Sequence, residues 1–320
     1  MKPVELSVCI AAVLALTALA GCKPDTPASE AAATAVAPTE KAAYSPYLEG
    51  DHTPAEDDGM RPYFGDTHLH TSYSTDAGMI GNTLGPEDAY RFAMGEQVTS
   101  STGLPVRLQR PLDFLVVADH SENLGLSPAI AEGNQDVAKN PWGKQVYDLV
   151  RTGVQENGIK AYDMWMKQMG ASKDPFAGDS TLQTSMWKRV TTAAEKYNQP
   201  GKFTAFIGFE WTSMPGGANL HRNVIFRDSK DKADQIIPIS AYDTEDPEKL
   251  WKWMTAYEEK TGGRMLAIPH GGNLSNGLMF DDVTLTTKKP IDRDYAVRRM
   301  KWEPLYETTQ MKGDGETHPK

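Results

Sequence analysis

The apolar positions of this chain fall into short runs, and most of those runs stop at a histidine or a carboxylate. Residues 111–118 are nearly all apolar and lead into Asp119 and His120; residues 203–209 lead into Glu210; residues 265–269 lead into His270. Runs of this length and density suit strands buried on both faces, as in a parallel sheet or a barrel. Residues 221–226 predict another strand, with His221 at its start rather than its end. Pro215, Gly216 and Gly217 form a turn before it, which predicts a hairpin-like pair that brings Glu210 beside His221. A last short strand is expected over residues 302–307, ending at Glu307.

The segments between the runs carry helical patterns. Residues 85–94 predict a helix with Pro86, Glu87 and Asp88 in its first turn. Residues 142–150, 162–169 and 186–197 predict three more, within a helical insertion over about residues 130–200. Asp246 and Pro247 open a helix that ends near Gly262 and Gly263. Strands alternating with helices give an α/β class, and polar groups at successive strand ends argue for a barrel-like arrangement.

The stretch from Gly65 to Asp76 carries the densest chemistry. Side chains on a strand repeat every two residues, so Asp66, His68 and His70 point to one side. Two imidazoles and a carboxylate converging at a strand end suit a divalent cation. Asp76, on the loop beyond, is placed to fold back as another ligand. The chain has 7 histidines, and His68, His70, His120, His221 and His270 all sit at or beside the ends of apolar runs. That is the pattern of one site assembled from several strands. Arg222, beside His221, offers a positive charge for an anionic substrate. A Ser-His-Asp reading of Asp119, His120 and Ser121 or Ser72 fails, because adjacent residues do not converge as a triad requires and no Gly-x-Ser-x-Gly elbow occurs.

Composition narrows the partners. Lys+Arg 33 against Asp+Glu 43 gives a net charge of -10 with no basic block, which excludes nucleic acid as an expected partner. Lys2, an apolar segment over residues 8–20 and then Gly21-Cys22 describe a secretory signal. Its ending, Leu19-Ala20-Gly21-Cys22, resembles the bacterial lipobox, so residues 1–21 are expected to be a lipoprotein signal peptide. Cys22 would then be acylated and hold the protein to the lipid bilayer of the cell envelope, on the outer membrane facing the periplasm. Residues 22–57, rich in Ala, Pro, Thr and Glu, read as a flexible tether, and residues 58–320 as the folded domain. Cys9 and Cys22 are the 2 cysteines of the chain, so the domain has neither a disulfide nor a thiol nucleophile.

Taken in order, His68 and His70, Asp76, Asp119 and His120, Glu210, His221 and His270 resemble the successive metal-binding motifs of the PHP superfamily (polymerase and histidinol phosphatase domains). The wording of residues 65–74, 110–114 and 310–314 is most similar to a PHP-like bacterial family known only as domain of unknown function 3604. The resemblance runs from about Arg61 to the C-terminus. It implies a distorted TIM-like β/α barrel, seven-stranded in the full family, with metals at the C-terminal strand ends. It implies that His68, His70 and Glu210 hold one metal, that Glu210 bridges to a second held by His221 and His270, and that Asp76 and His120 serve a third. Two or three divalent ions (Zn, Mn or Fe) would activate water for hydrolysis of a small anionic ester, most naturally a phosphoester. Glu210, His120 and Asp76 would then be catalytic, and Glu307 would contact substrate or support a ligand. The superfamily's last motif, a Gly-Ser-Asp-x-His-like segment, has no counterpart; Glu316-Thr317-His318 reads as a loop. The chain is therefore expected to be an N-terminal portion of the domain. Its alternative role is a non-catalytic lipoprotein that binds metal or a ligand.

Overall fold

Five strands form the frame on which everything else is hung: β1 (Gly65–Leu69), β4 (Phe114–Val117), β5 (Thr204–Trp211), β6 (Arg222–Phe226) and β7 (Met265–Pro269), in the order β1-β4-β5-β6-β7. The computed structural model describes residues 62–315. The signal sequence, Cys22, the tether, the residues before Pro62 and Glu316-Thr317-His318 lie outside the described residues. Among the described residues, no helix is long and apolar enough to cross a membrane.

β1, β4 and β5 run parallel, joined by helical crossovers, whereas β6 is antiparallel to both β5 and β7. The reversal follows from the short connection: only about ten residues around the 3-10 turn Pro215–Gly217 separate β5 from β6, too few for a crossover helix. This is the hairpin-like pair expected from the sequence, with Glu210 opposite Asn223 and Trp211 opposite Arg222.

The described strands make a curled half-barrel, not a closed TIM-like barrel. The curl is measured by contacts between strands that are not neighbours. The Asn223 side-chain amide on β6 donates to the Thr67 carbonyl on β1 at 3.0 Å, and the His68 and His270 rings, from the two edge strands, approach to 4.1 Å. The expected strand over residues 302–307 is also absent. Trp302 ends a helix, α10 (Arg293–Trp302), and residues 303–307 form no strand but are tied to β7 by the Glu307 amide donating to the Pro269 carbonyl at 3.0 Å. Pro269 is tolerated there because it lies on an edge strand, where its missing N–H costs no ladder bond.

The two faces of the sheet differ. The inner face is small, with Val116, Ala118, Ile225 and Ile268 as its buried apolar residues. Gly208 is required there, since a Cβ would lie 2.5 Å from Val116 Cγ1. The outer face is covered by helices: α2 (Pro86–Ala93) follows α1 (Thr75–Gly78) and precedes the small hairpin β2 (Val98–Thr99) and β3 (Pro105–Val106). Between β4 and β5 lie α3 (Leu126–Ala131), α4 (Gln135–Lys139), α5 (Pro141–Val150), α6 (Gln155–Gly170) and α7 (Thr181–Tyr197). Trp187 of α7 sets its ring 6.0 Å from Phe209 of β5, so the long apolar helix face closes directly on the sheet. α8 (Lys230–Ala233) packs on α7, α9 (Pro247–Thr261) reaches the sheet through Tyr257 against Phe226 and Trp253 against Phe209, α10 lies on β7, and the hairpin β8 (Thr309–Gln310) and β9 (Gly313–Asp314) ends the described chain. α9 begins as its sequence requires: Asp246 accepts from the Glu248 amide at 2.9 Å, Pro247 takes the first position, and Gly262 closes the helix with φ 62°.

Candidate metal centre

Strand alternation places the chemistry. His68 and His70 share one parity on β1 and its extension, as do Val116, Ala118 and His120 on β4, and Gly208 and Glu210 on β5; Asp66, expected beside them, is taken out of that register by a bulge between Asp66 and Leu69, pairs with Leu115 and accepts from the His68 amide at 2.7 Å. His120 continues the ladder beyond β4 through a bridge to Glu210. His221 immediately precedes β6, and His270 immediately follows β7. All six side chains therefore enter the inner face at one end of the sheet.

Glu210 is the hub and is fully buried. Its two oxygens are served separately. Oε2 lies 2.7 Å from His70 Nε2 and 3.4 Å from His68 Nε2, with His120 Nδ1 at 3.6 Å. Oε1 lies 2.6 Å from His221 Nδ1 and 3.0 Å from His270 Nε2. Asp76, on α1, approaches His70 Nδ1 at 3.1 Å and His120 Nε2 at 3.3 Å. Among the described residues, His68-His70-Glu210, Glu210-His221-His270, His70-Asp76-His120 and His68-His270-Glu307 are the four sets whose ligand atoms lie within 4.8 Å of one another. A tetrahedral ion with bonds of about 2.0–2.1 Å holds its ligand atoms roughly 3.4 Å apart, so these groups could hold an ion once the 2.6 and 2.7 Å contacts open.

Neighbouring hydroxyls fix which nitrogen faces inward. Ser74 Oγ donates its one proton to Asp76 Oδ1 at 2.6 Å, and so accepts at 3.1 Å from His70 Nδ1. His70 Nε2 is then the nitrogen turned to Glu210. His68 Nδ1 meets Glu307 Oε2 at 2.8 Å, which turns its Nε2 the same way. His120 Nδ1 pairs with Thr212 Oγ1 at 2.5 Å, leaving Nε2 toward Asp76. Carboxylate or hydroxyl partners on the remote nitrogen are the usual supports of a ligating histidine. The strand ends are held by Asp119, which accepts from the Thr71 amide at 2.5 Å and its hydroxyl at 2.7 Å.

The electrostatics divide the cluster between the two Glu210 oxygens. Burial alone would raise the Glu210 pKa, yet the imidazoles of His120, His270, His221 and His70 hold it well below the usual carboxylate range. Burial works to lower His68, but the nearby Glu210 carboxylate and its bond to Glu307 overcome this and bring it to about 9. His70 is likewise raised against its burial, by Glu210 and Asp76. On the Oε1 side burial wins: His221 is lowered to about 3 and His270 also falls. Protons on the Oε2 side thus supply the charge that divalent cations would supply. His70 Nε2, Glu210 Oε2, His221 Nε2, His270 Nδ1 and Glu307 Oε1 are buried without a hydrogen-bond partner. His70 Nε2 and Glu210 Oε2 approach to 2.7 Å without the alignment of a hydrogen bond. Buried polar atoms are nearly always paired, so this many orphans in one place fit a metal-binding shell.

The expected ligands His68, His70, Asp76, His120, Glu210, His221 and His270 are therefore brought together. Glu307 joins them from the segment after α10, not from a strand. Arg222 is not brought to the cluster. It is buried on the opposite face, where its Nε donates to Glu303 Oε1 at 3.0 Å, its terminal nitrogen bonds the Leu220 carbonyl and its guanidinium lies 5.8 Å from the Trp211 ring. The sequence held the signal for this: one residue from His221 on a strand means the other face. Sequence reasoning missed Ser74 and Thr212, whose short hydroxyl side chains carry no pattern of their own.

A half-barrel sheet with a histidine-rich carboxylate centre at one end defines an α/β protein with a candidate polynuclear metal site. The chain matches the family described as "Protein of unknown function (DUF3604)" over residues 57–320 and belongs to it. No curated protein and no solved structure matches it.

Proposed function

We propose that this protein is a metal-dependent hydrolase, most naturally a phosphoesterase, and that its domain is a divergent member of the PHP superfamily with its distorted TIM-like barrel. One observation carries the reading: each oxygen of the buried Glu210 carboxylate faces its own group of imidazoles, His68 and His70 with His120 further out on one side, His221 and His270 on the other. Two divalent ions bound there would supply a water of lowered pKa and polarise a phosphoryl oxygen. The chain's own part is to hold Glu210 dry, to present Nε2 of His68 and His70 through Glu307 and Ser74, and to keep His120 and Asp76 beside the reacting centre as proton-handling groups. Cys22, acylated after export, would anchor this domain to the bacterial envelope membrane.

The test is elemental analysis of the domain from about Asp51 onward, purified without chelator, alongside an aryl phosphate assay with added Mn²⁺ or Zn²⁺. One or more equivalents of metal with turnover supports the hydrolase. Metal without turnover supports a binding lipoprotein, and a metal-free, inactive protein removes the reading.

A further inference from the structure

His120 belongs to the segment Asp119-His120-Ser121-Glu122, which leaves the end of β4 and is buried throughout. Each acid of the segment holds a neighbouring strand end. Asp119 accepts from the Thr71 amide beyond β1 at 2.5 Å, and Glu122 Oε1 accepts from the Thr212 amide beyond β5 at 3.3 Å. The same Glu122 oxygen accepts from the Ala241 amide at 2.6 Å, in the connection between α8 and α9. Ser121 strengthens both ties: its amide donates to the Glu210 carbonyl at 2.9 Å and its hydroxyl to the Ile239 carbonyl at 2.9 Å.

Glu122 is fully buried, and a carboxylate out of water is costly unless hydrogen bonds compensate it. Its Oε2 has no partner, so Oε1 carries all of its hydrogen bonds. Thr212 then joins this acid to the metal centre. Its amide is held by Glu122, and its hydroxyl lies 2.5 Å from His120 Nδ1. On the other side of the ring, His120 Nε2 lies 3.3 Å from Asp76. An unbroken chain of contacts therefore runs from Glu122 through Thr212 and His120 to Asp76. Hydrogen bonds weaken steeply with misalignment, so the orientation of the imidazole depends on where the Thr212 backbone is fixed.

We propose that Glu122 is a positioning residue of the metal centre: by holding the Thr212 amide it aims the Thr212 hydroxyl at His120 Nδ1 and keeps His120 Nε2 turned to Asp76. The use of that orientation, to bind metal, rests on the hydrolase reading. The orientation itself exists in metal-free protein and does not.

The ring-nitrogen resonances of His120 in metal-free protein report its tautomer and its Nδ1 bond, and following them as Zn²⁺ is added gives an affinity at this histidine. Glu122→Met removes the acceptor and keeps the length of the side chain. It is expected to shift those resonances as Thr212→Val does and to weaken Zn²⁺ binding about tenfold, the lower end of the loss when a ligating histidine's support is removed. Glu122→Gln, which keeps an acceptor oxygen, is expected to retain the wild-type resonances and most of the affinity. The Glu122→Met/Thr212→Val double variant is expected to bind Zn²⁺ no more weakly than either single variant, because both break one chain of contacts. Should Glu122→Met not fold, Glu122→Asp, whose oxygens are drawn back by one methylene, is expected to give the same shift. Wild-type resonances in a folded Met or Asp variant overturn the proposal. So does a double-variant loss of about a hundredfold, the product of two independent effects, or a Gln variant as impaired as Met. Zn²⁺-loaded protein that turns over an aryl phosphate, with His120 unmoved by Glu122→Met, removes the positioning role and leaves the hydrolase standing. His120 resonances that depend on Glu122 in a protein that binds no metal remove the hydrolase and leave the positioning role standing.

Discussion

Glu210 and Arg222 sit at adjacent register positions of the same hairpin, both buried, both charged, and on opposite faces of the sheet. Arg222 lives in a closed account of donors and acceptors. Glu303 Oε1 accepts from Arg222 Nε at 3.0 Å and from Trp251 Nε1 at 2.8 Å, and its Oε2 accepts from Arg299 Nε at 3.1 Å. Glu210 has five imidazole contacts on its two oxygens, yet Oε2 has no aligned donor, and orphaned nitrogens surround it. The difference teaches how to tell a structural charge from a functional one. The first is satisfied by the fold; the second, on the proposed reading, would be satisfied by a bound cation.

The sharpest way to break that comparison is Glu210→Gln. Loss of the shared carboxylate removes the ligand common to both imidazole pairs, so metal content is expected to fall to background. Activity is expected to drop at least on the order of 10⁴-fold, the scale for groups that act as a unit. Retention of stoichiometric metal would mean that Glu210 is a structural acid after all. Glu303→Ala should do the reverse. It leaves the Arg222 guanidinium buried without its carboxylate, and destabilisation of about 3–5 kcal/mol is expected in urea unfolding. A loss below about 1 kcal/mol, the range of exposed pairs, would show that Arg222 is free to turn elsewhere.

A third effect is read in pH. In chelator-stripped protein His68 has its pKa raised to about 9, so its stabilising contribution is complete below pH 6.5 and is lost as pH rises through 9. His221, lowered to about 3, behaves oppositely: its contribution is present above pH 6.5 and lost as pH falls through 3. Stripped protein is therefore expected to lose stability between pH 6.5 and 9.5. Metal affinity should rise over the same interval, because bound metal must displace the His68 proton. A flat unfolding midpoint across that window would contradict the proton-for-metal exchange.

Much of this arrangement was legible in the chain because buried strands are written as dense apolar runs. Their last residues, His70, His120, Glu210 and His270, break the pattern where the strand emerges. The hairpin was legible from Pro215–Gly217, and with it the meeting of Glu210 and His221. What failed has a physical reason in each case. α10 was overlooked because its apolar residues make no buried stripe: Trp302 is its one buried residue, and Val297 and Met300 are exposed. Glu307 was placed on a strand because Trp302, Leu305 and Tyr306 give an apolar pattern, whereas the segment is held by one backbone bond to Pro269. Arg222 was read as a substrate contact from its neighbour in sequence, although strand parity sets it on the far side. Barrel closure cannot be read from run lengths, because the curl is set by cross-sheet contacts such as Asn223 to Thr67.

The smallest effect discriminates most finely between positioning and packing at the centre. Thr212 lies one residue beyond β5, is 1% exposed, and its hydroxyl meets His120 Nδ1 at 2.5 Å. Thr212→Val keeps the shape and burial of the side chain and deletes only that bond, so the fold should lose no more than about 1–2 kcal/mol. His120 would then be free to rotate or change tautomer, and its Nε2 would no longer be held toward Asp76. Metal affinity is expected to fall about tenfold, the lower end of the loss seen when a ligating histidine's support is removed. Thr212→Ser, which restores the hydroxyl without the methyl, should return most of that affinity while leaving a small packing defect. If Val and Ser variants bind metal equally and differ only in stability, His120 is packed against the centre rather than serving it, and the contrast with Arg222 narrows to Glu210 and the four imidazoles on its oxygens.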